Sequence, residues 1–342
     1  MKVRHLKPIK KPIIRCKSCL ISEKFPGIYI DENQVCNLCH EFNADDYNNN
    51  VTNSNKEKIN KVIEERKGTA LYDVLVAYSG GKDSSFTLYY FREVLKLKVL
   101  ALLIDNDFIS ERAHKNAKIL TNSLKIDLIV FKPEADFMHN LYNKSLEGSF
   151  YNMNQLSRAN AACLSCINLI NNVALNEAIM RKIPMIAGGY IGGQIPDQGG
   201  VVSLDRKLFK QMREKNTEML SKKIDERIST YLTINEADDN QIFPILLYPL
   251  LGLNYSEKEI IKVISKYGWI KPDDTGMSSS NCIMNDFAIS VHYEKYQYHS
   301  YEAEICLQVR KGTMDKEEAI ERLTDIKPSN EFKDIKKKLK SN

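Results

Sequence analysis

Six residues, Ser79-Gly80-Gly81-Lys82-Asp83-Ser84, constrain the fold of this 342-residue chain more than any other segment. They directly follow the apolar run Asp73-Val74-Leu75-Val76-Ala77-Tyr78, which reads as a buried strand. They lead into an amphipathic stretch, Ser84 to Leu95, which reads as a helix. Paired glycines let the backbone turn sharply and present successive amide N–H groups. The helix N-terminus adds partial positive charge, and Lys82 and the serine hydroxyls add donors. Such a junction cradles a polyphosphate. Its spacing is not Gly-x4-Gly-Lys-Ser/Thr, so it is not the kinase-type phosphate loop. A plain glycine turn seldom carries Ser, Lys, Asp and Ser in this order at a strand-to-helix junction.

The surrounding pattern repeats the alternation. Short β-branched runs at Asp73 to Tyr78, Lys98 to Asp105, Ile126 to Phe131 and Pro184 to Ala187 are separated by helical stretches such as Ser110 to Leu124. This predicts a doubly wound, parallel α/β sheet, with ligands at the strand C-termini. Four regions follow: a cysteine-bearing module over 1–42 that looks like a separate knob, a linker and lysine-rich helix over 43–71, the α/β domain over 72–254, and a helical region over 255–342. The Asn-rich stretch Asn43 to Asn55 is too poor in apolar residues to pack and reads as linker, with a helix from about Lys56 to Lys67. In the last region Ser256 to Tyr267, opened by a capping box at Ser256 and Glu259, and Asp315 to Asp325 are the clearest helices. The charged tail after Lys327 reads as frayed. Ile195 to Asp239 is an insertion expected to shape an acceptor pocket. The Gly-rich stretch Gly188 to Gln194 after the fourth strand is either a lid at the active edge or a loop without contacts.

Charge and hydropathy set limits. A net charge of +5, from 49 basic and 44 acidic residues, suits a phosphate handler and is too weak to announce a nucleic-acid binder. No apolar run approaches a membrane span, and basic Met1 to Arg15 lacks the apolar core of a secretory signal, so a cytoplasmic location is expected. In that compartment cysteines serve metals rather than disulfides. Six of the eight fall into Cys-x-x-Cys pairs. Cys16, Cys19, Cys36 and Cys39 have the spacing of a four-cysteine zinc ribbon, in which each pair forms one knuckle and the ion replaces a hydrophobic core. His40 beside it reads as an exposed neighbour. The third pair, Cys163 and Cys166, lies on or just before a helix running through Asn176. Cys306 reads as a core residue.

Ser-Gly-Gly-Lys-Asp-Ser after a first strand resembles the signature of the PP-loop ATP pyrophosphatases and adenine nucleotide α-hydrolase-like proteins, over roughly Tyr72 to Tyr190. The resemblance implies that ATP is split to AMP and pyrophosphate with Mg²⁺, and that an oxygen of the substrate is adenylated before a nucleophile displaces AMP. It places Ala77, Ser79, Gly80, Gly81 and Gly188 at the nucleotide, Lys82 and Ser84 on phosphate, and Asp83 close to the metal. The end of the second strand, Ile104-Asp105-Asn106, would flank adenosine, with Asp105 either there or capping a helix.

Two branches of the superfamily are similar. The tRNA 2-thiocytidine and 2-thiouridine synthetases carry a Cys-x-x-Cys at the position of Cys163 and Cys166 and a third cysteine later, matched here by Cys282. In them the three thiolates bind a [4Fe-4S] cluster whose open iron carries sulfide. Three cysteines can also hold Zn²⁺ or form a persulfide. The N-acetyl-sugar amidotransferases join a cysteine-knuckle module to a PP-loop domain, and the phrase Arg310 to Ala319 resembles their helical close. They take ammonia from a partner glutaminase. No second ribbon stands at the C-terminus, and the charge is modest, so the expectation is an adenylating sulfurtransferase. It would act on a small or carrier-bound substrate, in the manner of natural-product thioamide synthetases, with Lys82, Asp83, Cys163, Cys166 and Cys282 carrying the chemistry. A sulfur donor or carrier protein is the implied partner and a substrate-bearing carrier protein a second. tRNA thiolation is the less favoured alternative, no membrane is involved, and a homodimer is compatible.

Overall fold

The computed structural model describes residues 13–203, 205–232 and 243–340. Met1 to Pro12 of the ribbon module and residues 233–239 of the insertion lie outside the described residues.

Strands β1 (Val74–Tyr78), β2 (Val99–Ile104), β3 (Asp127–Phe131), β4 (Met185–Gly188), β5 (Val201–Val202) and β6 (Ile245–Leu247) form one sheet in the order β3-β2-β1-β4-β6-β5. All neighbours are parallel except β5, which runs antiparallel to β6 at the edge. The four anticipated strands match to within a residue at each end, and β5 and β6 were not anticipated. Every residue of β2 is buried, as a central parallel strand covered on both faces requires. Leu100, Leu102 and Ile104 face one core, with Phe108, Phe137 and Leu169. Val99, Ala101 and Leu103 face the other, with Leu88, Phe91 and Trp269. This alternation fixes the register, since a one-residue slip would exchange the two faces. Chain order reverses between β1 and β4, and the crevice at their C-terminal ends is where such folds bind ligands.

Several expectations are corrected. The Asn43 to Asn55 stretch is helical rather than linker-like: Asn43 caps Ala44–Asp46, a π-helical turn spans Tyr47–Thr52, and Asn53–Arg66 continues without a break. Its polar residues are spent on tertiary hydrogen bonds. Asn55 is fully buried; its amide donates to the Asp197 carbonyl (2.6 Å) and accepts from Gly200 N–H (3.2 Å). The helix after the phosphate loop begins at Lys82, not Ser84, and runs to Tyr89 before a π-turn over Tyr90–Val94. The C-terminal tail is docked rather than frayed: Lys333–Lys338 is helical, Leu339 is buried, Asn143 donates to the Leu339 carbonyl (2.8 Å), and Lys338 pairs with Asp107 (3.1 Å). The insertion places helix Ile228–Leu232 against the core of Phe137 and Leu141.

The cysteine module is not a separate knob. Phe25 stands edge-on to Tyr298 at 5.2 Å, Arg15 pairs with buried Glu302 (3.0 Å), and Lys316 Nζ donates to the Lys17 carbonyl (2.7 Å). A module this small cannot bury Ile21 and Phe25 within itself, so it borrows a core from Ile305, Met314 and Leu323 of the C-terminal helices. Among the described residues no helix is long and apolar enough to cross a membrane.

Candidate active site and metal centre

The ribbon brings Cys16, Cys19, Cys36 and Cys39 Sγ within 4.8 Å of one another. Cys16 and Cys39 lie 3.8 Å apart and Cys19 and Cys36 lie 3.7 Å apart. Zinc–sulfur bonds of about 2.3 Å arranged as a tetrahedron put sulfurs about 3.8 Å apart, so the donor set fits one such ion. The Cys36 N–H donates to Cys16 Sγ (3.3 Å) and Arg310 Nη1 donates to Cys19 Sγ (3.2 Å). Hydrogen bonding from Cys306, aided by the Ile21 amide and Arg310 and opposed by burial, holds the Cys19 thiol well below its ordinary range. Cys306 is buried and supports the ribbon. His40 is exposed and pairs with Asp31 (2.9 Å) instead of joining the ligands.

The second centre is a cavity of about 380 Å³ at the C-terminal ends of β1 and β4. Ala77, Ser79, Gly81 to Ser84, Cys163, Cys166 and Cys282 all line it. A larger groove, about 1060 Å³, between the Glu111–Leu124 helix and the C-terminal tail contains none of these groups and offers no comparable chemistry.

Local geometry explains the loop. Gly80 has φ +76°, and a Cβ there would lie 2.2 Å from the Ala113 carbonyl oxygen, so only glycine fits. Its own carbonyl accepts from Trp269 Nε1 (2.9 Å). A Cβ on Gly189 would lie 2.7 Å from Ser84 N, which brings the chain after β4 flush against the loop helix. Ser79 and Ser84 hydroxyls bond each other (3.0 Å), and the Lys82 N–H donates to Ser280 Oγ (3.0 Å).

Lys82 Nζ pairs with Asp83 (2.9 Å) and Glu257 (3.7 Å), Tyr255 donates to Asp83 (2.8 Å), and Arg322 pairs with Glu257 (3.1 Å). Burial pulls the Lys82 pKa down, but Asp83, Tyr255 and Glu257 outweigh it and hold the ammonium well above its ordinary value. Glu304, whose carboxylate accepts from Gln194 (2.6 Å), is pushed up to about 7 by burial against the pull of Lys82. Glu257, Glu304 and Arg322 come from the C-terminal helices and Tyr255 from the segment just before the first of them, and the sequence motifs point to none of the four. Only the capping box at Ser256 hinted that this segment mattered.

On the cysteine side, Asn106 Nδ2 donates to Cys166 Sγ (3.4 Å), Cys163 Sγ donates to Asn285 Oδ1 (3.4 Å), and Tyr301 hydroxyl lies 4.0 Å from Cys163 Sγ. Asn160 caps the Ala161–Met180 helix by accepting from Cys163 N–H (2.9 Å). Burial raises all three thiols: Cys163 to about 11 with Cys166 adding, Cys282 further still with both neighbours adding, and Cys166 despite hydrogen bonds from Tyr142 and Asn106. Among the described residues only the ribbon cysteines gather as a set within 4.8 Å.

Asp105 does not line the cavity. Its carboxylate faces His114 (3.5 Å) and Lys132 (3.4 Å), while the adjoining Asn106 faces inward. Gly188 likewise stays in the sheet, paired with Ala77, and Gly189, Tyr190 and Gln194 line the cavity. The Gly-rich stretch therefore has contacts.

The family model described as NAD synthase matches residues 51–175. An uncharacterized protein of Methanocaldococcus jannaschii is 25% identical over 285 residues, 81% of this chain and 83% of its own. The U34-tRNA thiolase NcsA from Methanococcus maripaludis, solved with its [4Fe-4S] cluster, is 13% identical with a TM-score of 0.33, covering 88% of this chain and 86% of that one. The NH3-dependent NAD synthetase from Campylobacter jejuni is 15% identical with a TM-score of 0.28, covering 40% of this chain and 56% of that one. At these scores neither structure bears on activity. The loop at the end of β1, the parallel sheet built around it and the match of the NAD synthase model across residues 51–175 agree with the resemblance to PP-loop proteins that the Ser79 to Ser84 motif carries.

Proposed function

We propose that the chain is an adenylating sulfurtransferase that converts a substrate carbonyl into a thiocarbonyl. The observation that carries this reading is the single cavity lined both by phosphate-loop residues and by Cys163, Cys166 and Cys282. PP-loop enzymes use ATP with Mg²⁺. In this reading the amides of Gly81 to Ser84 and the Lys82 ammonium hold the β- and γ-phosphates, and Asp83 lies beside Mg²⁺. The substrate carbonyl oxygen attacks the α-phosphorus, the bond to the bridging oxygen breaks, and pyrophosphate leaves with that electron pair. A sulfur nucleophile then adds to the activated carbon, and AMP departs with the former carbonyl oxygen. Cys163, Cys166 and Cys282 would hold a [4Fe-4S] cluster, which supplies an open iron for sulfide. Asn106, Asn285 and Tyr301 orient the cysteine sulfurs. The ribbon ion, zinc in this reading, is structural and closed.

Two features support a small or carrier-bound acceptor. Tyr142, Ala162, Leu164, Ile167, Tyr190 and Tyr248 give the cavity mostly apolar walls, and Arg158 is the basic side chain on the cysteine side. A sulfur donor or carrier protein would complete the system. A second reading, with ammonia as nucleophile, is favoured by the ribbon docking through Arg310 and Lys316, within the phrase that resembles sugar amidotransferases.

The test is the nucleotide product. Chromatography of reactions with ATP and Mg²⁺ is expected to give AMP and pyrophosphate; ADP and phosphate would overturn the proposal. Conversion supported by ammonia, and not by sulfide, would select the second reading.

A further inference from the structure

The segment that carries Cys282 also closes the phosphate loop. Residues 281–283 run antiparallel to residues 108–110: Ser110 N–H donates to the Asn281 carbonyl (2.9 Å), Ile283 N–H donates to the Phe108 carbonyl (2.9 Å), and Ile109 and Cys282 form a bridge. On its other side the segment presses on the loop. A Cβ on Gly81 would lie 3.0 Å from Ser280 Oγ and 3.3 Å from Asn281 Cβ.

The Lys82 N–H belongs to the first helical turn, whose amides have no partner within the helix, and Gly81 at the cap position brings no side chain to them. Ser280 Oγ accepts from Lys82 N–H at 3.0 Å. That is the place an oxygen of a bound polyphosphate takes at a helix N-terminus. One amide hydrogen cannot serve both acceptors well. Cys282 follows Ser280 by two residues, and its own N–H donates to Ser279 Oγ (3.1 Å), so a shift of Ser280 is felt at the third cysteine.

We propose that Ser280 is a positioning residue that occupies the anion position on Lys82 while the loop is empty and yields it to polyphosphate, coupling nucleotide binding to the placement of Cys282. This rests on the reading of Ser79 to Ser84 as a polyphosphate site. Its consequence is order: the three-cysteine wall takes its working arrangement only with nucleotide present. Coupling of this kind is reciprocal, so whatever fixes Cys282 in that arrangement tightens nucleotide binding by the same factor.

The test uses the full chain, with pyrophosphate and Mg²⁺ as the probe and two readouts. In calorimetric titration, Ser280→Ala removes the competing hydroxyl and leaves the Lys82 amide without an acceptor, so pyrophosphate is expected to bind roughly 5- to 30-fold more tightly. Ser280→Thr, which keeps the hydroxyl, is expected to bind like wild type. The rate of Cys282 alkylation by N-ethylmaleimide, read by mass spectrometry, is expected to change with pyrophosphate in wild type. In Ser280→Ala it should be the same with and without the probe. Weaker or unchanged binding by Ser280→Ala, or Cys282 labelling indifferent to saturating pyrophosphate, overturns the inference while leaving the phosphate site intact. Failure of wild type to bind pyrophosphate at all overturns the phosphate-loop reading and the inference together.

Discussion

The two cysteine centres of this molecule are built in opposite ways. The ribbon gathers four thiols from two short knuckles, buries three of them and sets the sulfurs at single-ion spacing. The cavity centre takes two cysteines from the first turns of one long helix and a third from a segment more than a hundred residues later, leaves all three partly accessible, and opens onto the phosphate loop. A closed site of local origin stabilises. An open site assembled across the fold is placed for chemistry, and its ligands answer to whatever else touches their segments.

The sharpest way to break this contrast is to remove one ligand from the ribbon. Cys36→Ser is expected to lose the ribbon metal and to destabilise the protein by several kcal/mol, because ion binding there is folding energy. Ile21, Phe25, Tyr298 and Ile305 would lose their shared order. Elemental analysis with thermal denaturation checks it, and an unchanged metal content would remove the distinction between the two centres. Next is Lys82→Ala, which should lower ATP cleavage by about 10²–10³-fold by taking charge from the developing pyrophosphate, while leaving the ribbon metal in place. Steady-state product assays measure the first effect and elemental analysis the second.

A smaller effect lies in pH. Glu304 carries a folded pKa of about 7 against an ordinary 4.5, raised by burial. Below 4.5 it is protonated in both states; between 4.5 and 7 the folded state holds the proton that the unfolded chain has released, so stability falls as pH rises through this window. Glu304→Gln should flatten that decline and leave the variant about 1–3 kcal/mol more stable than wild type near pH 8, relative to their difference near pH 4.5. Denaturant titrations at both pH values measure it. The smallest expected effect is Asp315→Ala, which removes the side-chain cap on Glu318 N–H (2.7 Å) beneath the ribbon and should cost about 1 kcal/mol with no loss of metal.

What could be read in advance follows the same division. The ribbon ligands and the phosphate loop were legible because their chemistry needs fixed spacings over a few residues, and the strands were legible because a doubly covered sheet needs uninterrupted apolar runs. The docking of the ribbon was not, since Phe25 meets Tyr298 and Arg15 meets Glu302 across almost the whole chain. The polar composition around Asn55 reads as linker, whereas Asn55 is buried by bonding to residues 197 and 200. Asp105 and Asn106 are adjacent at a strand end, and which one faces the cavity depends on the local turn, where Asp105 Oδ1 accepts from Asp107 N–H (3.2 Å). Tyr255, Glu257 and Glu304 reach Lys82 and its neighbours from C-terminal segments in which no motif marks a ligand site.

The central claim is that Cys163, Cys166 and Cys282 hold an iron–sulfur cluster for sulfur delivery. Iron and acid-labile sulfide measured on anaerobically purified protein, wild type beside Cys163→Ser, test it most directly. About four irons and four sulfides per chain are expected in wild type, with loss of both in the variant and an unchanged ribbon metal. Wild-type protein without iron after reconstitution, yet active with ammonia as donor, would contradict it.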